Sequence, residues 1–366
     1  MNRRDFLKLG VLAGAASISR AGRAQERFIS KLGPWRKFEI VTRIEFKMPQ
    51  VKLQAWVPVP SVSRDEWSKP HGSDWKTNAK VAKLEHDAVS GGDMAFFEWS
   101  ESKEQPVAEV SSHVSTRDRL TDFTRPGKAV PLTPEEQIRY TTLPESMQGG
   151  YWGRDNRLQT TAAAIVANAK TDLGKAKAIY EWIVDQTSCG PGDMTPFKDA
   201  AAADMTERWD CGYLNQIFVG LARVSDLPAR EFYGIRVAPS LSGYESMSAI
   251  PENITVKEHR RAEVWLEDYG WVPVDPGDVR RVIRDEPPGT LTLESPKVVA
   301  ARVTLFGAWE GNWVAYNSAD DLVLPGTDGV RVPYLARPLA RSATGWLDDL
   351  KPEIFSYKIM SRELPA

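Results

Sequence analysis

Apolar and polar side chains alternate along several short stretches in the first third of the chain. Stretches with this pattern lie at residues 38–46, 53–57, 95–99 and 107–115. Turn-rich segments such as 90–93 separate them. Because successive side chains of a strand point to opposite faces of a sheet, the pattern indicates half-buried strands. Several short strands divided by turns predict a β-sandwich over residues 35–125.

A helical period replaces the alternation after a connector that contains proline and glycine at residues 126–156. In the stretch 175–186 the apolar side chains fall on one helix face. A second helix is predicted after Cys211, where four apolar residues follow the spacing i, i+3, i+4 and i+7: Leu214, Ile217, Phe218 and Leu221. Cys211 itself lies at the open N-terminal end of that helix.

A β-hairpin is predicted further along, with strand patterns at 259–266 and 271–275 around a turn. His259 begins the first strand and Asp275 ends the second. Side chains alternate across a strand, so the register decides whether these two share a face. A three-residue loop at 267–269 would place them diagonally on one face, whereas a simple ladder with an even loop would place them on opposite faces.

Length, composition and net charge indicate a globular protein and argue against nucleic-acid binding and a membrane span. The 366 residues suffice for two domains or one large one, and 42% hydrophobic with 26% charged residues is ordinary for a globular protein. A net charge of −2 gives no electrostatic footprint for nucleic acid. No run of 18 apolar residues occurs, so we expect no membrane span in the mature chain.

The N-terminus carries a targeting pattern. Residues 2–8 read Asn-Arg-Arg-Asp-Phe-Leu-Lys, a short apolar run follows at 9–16, and small residues at Gly22 and Ala24 suit a signal peptidase. We therefore predict a twin-arginine signal peptide at 1–24 and a periplasmic or secreted protein. The alternative is a cytoplasmic protein with a basic start.

The chain contains two cysteines, Cys189 and Cys211. In an oxidising compartment such a pair most often forms a disulfide. The position of Cys211 favours a different interpretation, because the free amides and dipole of a helix start stabilise a thiolate. A nearby imidazole can take the thiol proton and a carboxylate can orient that imidazole. We therefore predict Cys211, His259 and Asp275 as catalytic residues, with Cys211 unpaired.

Four motifs together resemble the bacterial transglutaminase-like superfamily. They are Asp210-Cys211-Gly-Tyr, Leu227-Pro-Ala-Arg230, His259-Arg-Arg-Ala-Glu-Val-Trp-Leu and Tyr269-Gly-Trp-Val-Pro-Val-Asp-Pro276. The order Cys, His, Asp is the order of that family. The chain departs from the family pattern at Asp226-Leu227, where Gly-Ile is usual, and at Trp209-Asp210 before the cysteine. Neither departure touches the three catalytic positions.

The resemblance implies an α+β fold with a papain-like core at residues 157–290, in which a cysteine-bearing helix packs on an antiparallel sheet. An N-terminal β-sandwich precedes it, and residues 291–366 form an extension packed on the core. The implied reaction is acyl transfer through a thioester on Cys211, with the backbone N–H of Cys211 as an oxyanion donor. The substrate would be a peptide or protein amide, including cell-wall peptide.

Three activities fit this resemblance. We favour a peptidase or amidase over a protein-crosslinking transglutaminase, and a non-catalytic cell-wall binding protein on the same fold is the third. We expect no cofactor and no metal, because the four histidines are too scattered for a metal set. The stretch 240–258 is rich in serine and lacks a clear period, which predicts a mobile flap beside the cleft.

Overall fold

The structure is a computed structural model that describes residues 27–47, 51–87, 91–101, 104–148, 156–190, 211–348 and 351–365. The predicted signal peptide at 1–24 lies outside the described residues. Two units are present, an N-terminal β-sandwich and a mixed helix–sheet core. Within the described ranges, no helix combines the length and the apolar character that crossing a bilayer requires.

Two antiparallel sheets form the sandwich. The strands of the first are β1 (Arg36–Phe46), β3 (Ser68–Thr77), β6 (Val107–Thr116) and β17 (Phe355–Leu364), in the order β17-β1-β6-β3. The strands of the second are β2 (Leu53–Pro58), β4 (Val81–His86), β5 (Asp93–Trp99), β15 (Leu339–Ser342) and β16 (Gly345–Trp346), in the order β16-β15-β2-β5-β4.

Alternation along the strands builds the core of the sandwich. Ile44 and Phe46 on β1 and Phe97 and Trp99 on β5 turn to the same interior, where Phe355 of β17 stacks on Phe46. Burying each large side chain of this kind stabilises the fold by roughly 1.5–3 kcal/mol. The predicted sheet-rich N-terminal region is therefore present.

The C-terminal segment differs from its prediction as an extension of the core. Residues 296–317 do pack on the core, but β15 pairs with β2 and β17 pairs with β1 along ten register positions. The chain thus returns to complete the sandwich it began. This pairing satisfies strand edges on β1 and β2 that would otherwise stay open, and a partner so remote in sequence leaves no local signal.

The core is an antiparallel sheet with helices around it. Its strands are β8 (Ala229–Arg236), β9 (Glu258–Leu266), β10 (Gly270–Val274) and β12 (Trp313–Asn317), in the order β10-β9-β8-β12. Two small ladders join β7 (Arg119–Leu120) to β11 (Ala308–Trp309) and β13 (Leu322–Val323) to β14 (Arg331–Val332).

The helices are α1 (Pro134–Thr141), α2 (Glu145–Gln148), α3 (Arg157–Val166), α4 (Asp172–Gln186), α5 (Tyr213–Arg223), α6 (Pro276–Asp285) and α7 (Pro296–Thr304). The predicted apolar stripe of α5 is buried against Ala262 and Val264 of β9 and against α4. A cysteine-proximal helix therefore packs on an antiparallel sheet, and the predicted α+β class is confirmed.

The stretch 240–257 is anchored rather than free, unlike the flap predicted for it. Tyr244, Met247 and Ile254 are buried within it. The carboxylate of Glu310 accepts a hydrogen bond from the backbone N–H of Leu241 at 2.6 Å. The serine-rich sequence led to the prediction of a mobile segment. Its buried apolar residues gave no periodic pattern, because they are irregularly spaced and their contacts lie elsewhere in the chain.

Candidate thiol site

The hairpin of β9 and β10 brings His259 and Asp275 together. Its loop has three residues, 267–269, and Val274 pairs with Ala262, so Asp275 falls opposite Arg261. This is the register that places His259 diagonally on the same face. His259 Nε2 lies 2.9 Å from Asp275 Oδ2, and neither side chain is exposed to solvent.

Asp275 is fixed by two further contacts. It is the N-cap of α6, and its carboxylate accepts the backbone N–H of Asp278 at 2.9 Å. Asn215 of α5 donates its side-chain amide to Asp275 Oδ1 at 2.9 Å. A carboxylate that accepts three hydrogen bonds in a buried site keeps one orientation.

Asn215 links the two halves of the site, and the sequence analysis missed it. Its amide also donates to the carbonyl oxygen of Arg260 at 2.6 Å, and its oxygen accepts the Gly277 N–H at 3.1 Å. Asn215 lies four residues after Cys211, on the same side of the helix start. That i+4 spacing from the candidate nucleophile was the signal that could have identified it.

A second carboxylate, Asp278, lies 3.2 Å from His259 Nε2. Both of its oxygens are bound by the guanidinium of Arg236. Burial alone would raise the pKa of Asp278, but the positive charges of the arginines around it, Arg236 foremost, outweigh that effect and hold the pKa well below its ordinary range. Asp278 is therefore an anion already neutralised by arginine.

Arginines surround the two carboxylates. Arg261 Nε lies 3.4 Å from Asp275 Oδ2, and burial, reinforced by the charge of Arg236, lowers the pKa of Arg261 to about 10. His259, Asp275 and Asp278 lie close enough together to hold a metal ion. The guanidinium groups of Arg236, Arg261 and Arg281 already supply the positive charge that balances these carboxylates.

Burial determines the protonation state of His259. Burial lowers its pKa, and the charges of Asp278 and Asp275 only partly oppose that effect. The imidazole is consequently neutral at neutral pH. With Nε2–H donating to Asp275, Nδ1 carries the lone pair. In this tautomer Nδ1 accepts a hydrogen bond from Arg281 Nη2 at 3.4 Å.

Cys211 lies directly before the N-cap of α5, as predicted, and is fully buried. Its sulfur is bonded to that of Cys189, 22 residues earlier, with the two Cα atoms 4.9 Å apart. The expectation of an unpaired Cys211 is therefore wrong in this structure, which has the disulfide that the sequence offered as the alternative. Cys189 follows α4, and the packing of α4 on α5 brings the two cysteines together.

The backbone of Cys211 touches the first turn of α6. A β-carbon placed on Gly277 would stand 2.1 Å from the Cys211 carbonyl oxygen, so only glycine permits this approach. Asp275 caps the same turn. The backbone of Cys211 therefore lies beside the turn that Asp275 caps, and the carboxylate of Asp275 binds His259.

Part of the chain matches a known protein family. Residues 159–276 match the family model of the Transglutaminase-like superfamily, and they include all three predicted site residues. The resemblance seen in the sequence is confirmed over these residues.

Two solved structures and one relative known from its sequence align with the chain. The crystal structure of "a Putative Cysteine Protease from Cytophaga hutchinsonii" shares the fold with a TM-score of 0.50 at 14% identity, over 91% of this chain and 99% of that one. The periplasmic domain of TgpA from Pseudomonas aeruginosa aligns over 67% of this chain and 88% of its own, with 14% identity and a TM-score of 0.31. An uncharacterized protein of Haemophilus influenzae is 25% identical over 99% of this chain and its own full length.

Proposed function

We propose that the protein is a cysteine hydrolase of the transglutaminase-like class that cleaves amide bonds in peptides or proteins. Its nucleophile, Cys211, is stored as a disulfide with Cys189. One observation carries this proposal: the 2.9 Å hydrogen bond between His259 and Asp275, fully buried, beside the helix that begins after Cys211. Buried histidine–carboxylate pairs next to a cysteine are the arrangement that activates thiol nucleophiles.

Reduction releases the nucleophile. A thiolate of a dithiol reductant attacks the sulfur of Cys189, which frees Cys211 as a thiolate and leaves a mixed disulfide on Cys189. The second thiol of the reductant then resolves that mixed disulfide. The dithiol is oxidised to its own disulfide, and two electrons and two protons pass to Cys189 and Cys211.

The reduced enzyme then performs acyl transfer. His259 Nδ1 takes the proton of the Cys211 thiol, and the thiolate attacks the amide carbonyl. The imidazolium, stabilised by Asp275, returns the proton to the leaving amine as the C–N bond breaks, which leaves a thioester. Water activated by His259 hydrolyses the thioester to a carboxylic acid and restores the thiol. The backbone N–H of Cys211 donates to the oxyanion.

The sequence supports a location and a substrate class for the proposed activity. The twin-arginine pattern at 1–24 supports export to the periplasm, where disulfides form and persist. Peptides of the cell wall are then accessible amide substrates. Hydrolysis is favoured over transfer to a lysine amine, as for most bacterial members of this architecture.

The disulfide itself favours a second candidate, a non-catalytic binding protein on the same fold. The bond uses both cysteines of the chain, and Cys211 and His259 are both closed to solvent. In that case the disulfide would be a permanent brace between α4 and α5. The two candidates differ in what happens when the bond is reduced.

Thiol labelling separates them. The native protein is treated with iodoacetamide at neutral pH with and without a dithiol reductant, the labelled peptides are mapped, and amide hydrolysis is assayed on a peptide mixture. We expect no labelling before reduction, faster labelling of Cys211 than of Cys189 afterwards, and hydrolysis in the reduced form alone. Cys189→Ser should be labelled and active without reductant.

Two controls complete the test. Cys211→Ser should be inactive in every condition, and His259→Ala should slow the labelling of Cys211 in the reduced protein. Incorporation of a labelled primary amine, in place of release of acid, would identify a crosslinking transglutaminase. Equal labelling of both cysteines after reduction, with no hydrolysis, would overturn the enzyme proposal and leave the binding protein.

A further inference from the structure

A cavity of about 560 Å³ lies where the sandwich, the connector and the β9–β10 hairpin meet. Its walls include Arg64, Trp67, Arg119, Arg230, Glu263 and Trp271. Glu263 is on β9, four residues beyond His259 and on the same face of the strand, so about 13 Å separates them along it. The cavity has the size of a small-molecule or peptide-end site and is distinct from the thiol site.

Four arginines and four carboxylates line the cavity, and two of these arginines share one carboxylate, that of Glu263. Glu263 is fully buried and accepts hydrogen bonds from both Arg119 and Arg230, whose charges hold its pKa low despite its burial. Arg230 also lies 3.9 Å from the centre of the Trp271 ring. The carboxylate of Glu263 thus binds both Arg119 and Arg230.

Arg64 is another arginine of the lining, and among the described residues it has no ion-pair partner. Within the described residues its side chain makes one hydrogen bond, to the neighbouring Ser63 carbonyl oxygen at 2.7 Å, and no ion pair. Burial, then the positive charge of Arg230, lowers the pKa of Arg64, and the negative charge of Glu263 only partly opposes these effects. A partly buried cation beside another cation is unfavourable, and an anionic group bound between them would offset that cost.

Acidic residues at the rim do not supply that group. Asp118 accepts the Gly311 N–H at 2.8 Å, and Glu136 accepts the Thr133 N–H at 2.9 Å in the capping box of α1. Glu66 is exposed. Among the described residues, none of these three forms an ion pair with Arg64.

We propose that this cavity is a binding site for a ligand that carries a carboxylate next to an apolar or aromatic group. Arg64 binds the carboxylate through its planar fork of N–H donors, which matches a carboxylate in two parallel hydrogen bonds. Trp67 and Trp271 form the walls against which the apolar part packs. Binding here requires no chemistry at Cys211, so the site can be tested with the protein in its disulfide form.

The probe pair is N-acetylphenylalanine and its neutral amide, titrated calorimetrically into the full-length protein at constant ionic strength. We expect saturable binding of the acid and at least tenfold weaker binding of the amide. Arg64→Gln should weaken the acid at least tenfold, and Arg64→Lys should have an intermediate effect because it keeps the charge without the fork. Arg43→Gln, at an exposed arginine on the sandwich, is the matched control and should bind like the wild type.

Folding does not obscure this experiment. Arg64 makes a single hydrogen bond to an adjacent residue, so Arg64→Gln leaves no distant group unsatisfied and should keep the thermal midpoint of the wild type. If the thermal midpoint of Arg64→Gln falls, the affinity of Arg64→Lys is compared with that of the wild type instead. Equal affinity for acid and amide, wild-type affinity of both Arg64 variants, or no binding of the acid would each overturn the proposal. Inorganic phosphate binding as tightly as the acid would overturn the apolar part of it.

Discussion

Gly277 lies against Cys211 so closely that a β-carbon at residue 277 would stand 2.1 Å from the Cys211 carbonyl oxygen and 3.0 Å from its carbonyl carbon. The contacted atoms are backbone and cannot rotate away. The first turn of α6, capped by Asp275, is thereby pressed against the residues that begin α5. The geometry of the thiol site depends on this approach.

Gly277→Ala should therefore separate the two helix starts. Overpacking of a buried contact costs about 1–3 kcal/mol, so the free energy of unfolding, measured by urea denaturation, should fall by that amount. Reduced Gly277→Ala should also react more slowly with iodoacetamide at Cys211. Gly127→Ala is the control, because a β-carbon there meets no atom within 4 Å. Wild-type stability of Gly277→Ala would show that the contact relaxes without cost.

Asp275→Asn should reduce turnover less than Cys211→Ala or His259→Ala. Asp275 orients and stabilises the imidazolium but exchanges no proton in the reaction. Asparagine can still cap α6, so the effect on stability should be small compared with the effect on kcat. The measurement is kcat/KM and the pH dependence of Cys211 labelling in the reduced protein.

The same variant distinguishes two carboxylates. Asp278 also lies within 3.2 Å of His259 Nε2. If Asp275→Asn leaves both turnover and the labelling profile unchanged, Asp278 is the residue that stabilises the imidazolium. Adding Asp275→Asn to Cys211→Ala should change nothing further, because the effects within a catalytic set are not additive.

Much of the thiol site could be predicted because its parts are local in sequence. The hairpin loop length set the register that joins His259 to Asp275, and the apolar stripe after Cys211 set the helix start. The partner of Cys211 was a matter of tertiary packing. A position at a helix start favours the thiolate form of Cys211. Whether Cys189 can reach Cys211 depends on how closely α4 packs on α5, and that distance cannot be inferred from the sequence.

The pairing of strands that lie far apart in the chain could not be predicted from the sequence either. The alternation in β1 and β2 predicted a sandwich, yet their partners β17 and β15 lie about three hundred residues further along. The hydrophobic pattern also did not predict which charged residues are buried. Glu263 reads as a polar position in an alternating strand, and only the fold shows that Arg119 and Arg230 meet it there.

The stability of the protein should depend on pH through Glu231. Burial raises the pKa of this carboxyl to about 7, with Arg260 opposing the shift and Asp320 adding to it. Because the folded pKa lies above the ordinary value of 4.5, the folded state keeps a proton that the unfolded chain has released. This contribution to stability is complete below about pH 4.5 and is lost as the pH rises through 7.

Glu231→Gln removes that dependence, since the amide does not titrate and can still accept the hydrogen bond from Tyr233. Between pH 5 and pH 8, the free energy of unfolding of the variant relative to the wild type should rise by on the order of 2–3 kcal/mol. Urea denaturation at both pH values gives this difference, with exposed Glu353→Gln as the control. Parallel pH profiles for Glu231→Gln and wild type would contradict the prediction.

The segment 240–257 should loosen when its anchor at Glu286 is removed. This fully buried carboxylate accepts the backbone N–H of Ser246 at 2.9 Å and its hydroxyl at 2.6 Å, and it also binds Lys297. Hydrogen bonds to a charged group contribute about 1.5–3 kcal/mol each. Glu286→Ala should therefore increase the hydrogen exchange rate of the Ser246 amide by about tenfold or more.

A local effect is expected because the segment has separate anchors. Met247 is buried, and its carbonyl oxygen accepts hydrogen bonds from Asn312 at 2.9 Å and from Arg236, which also binds Asp278. Loosening at Ser246 should thus stop before the thiol site, and reduced Glu286→Ala should keep wild-type labelling of Cys211. Glu252→Ala, an exposed position on the same segment, controls for lost charge. Wild-type exchange at Ser246 in Glu286→Ala would mean that the buried apolar side chains hold the segment alone, whereas faster labelling of Cys211 would mean that the segment covers the thiol site.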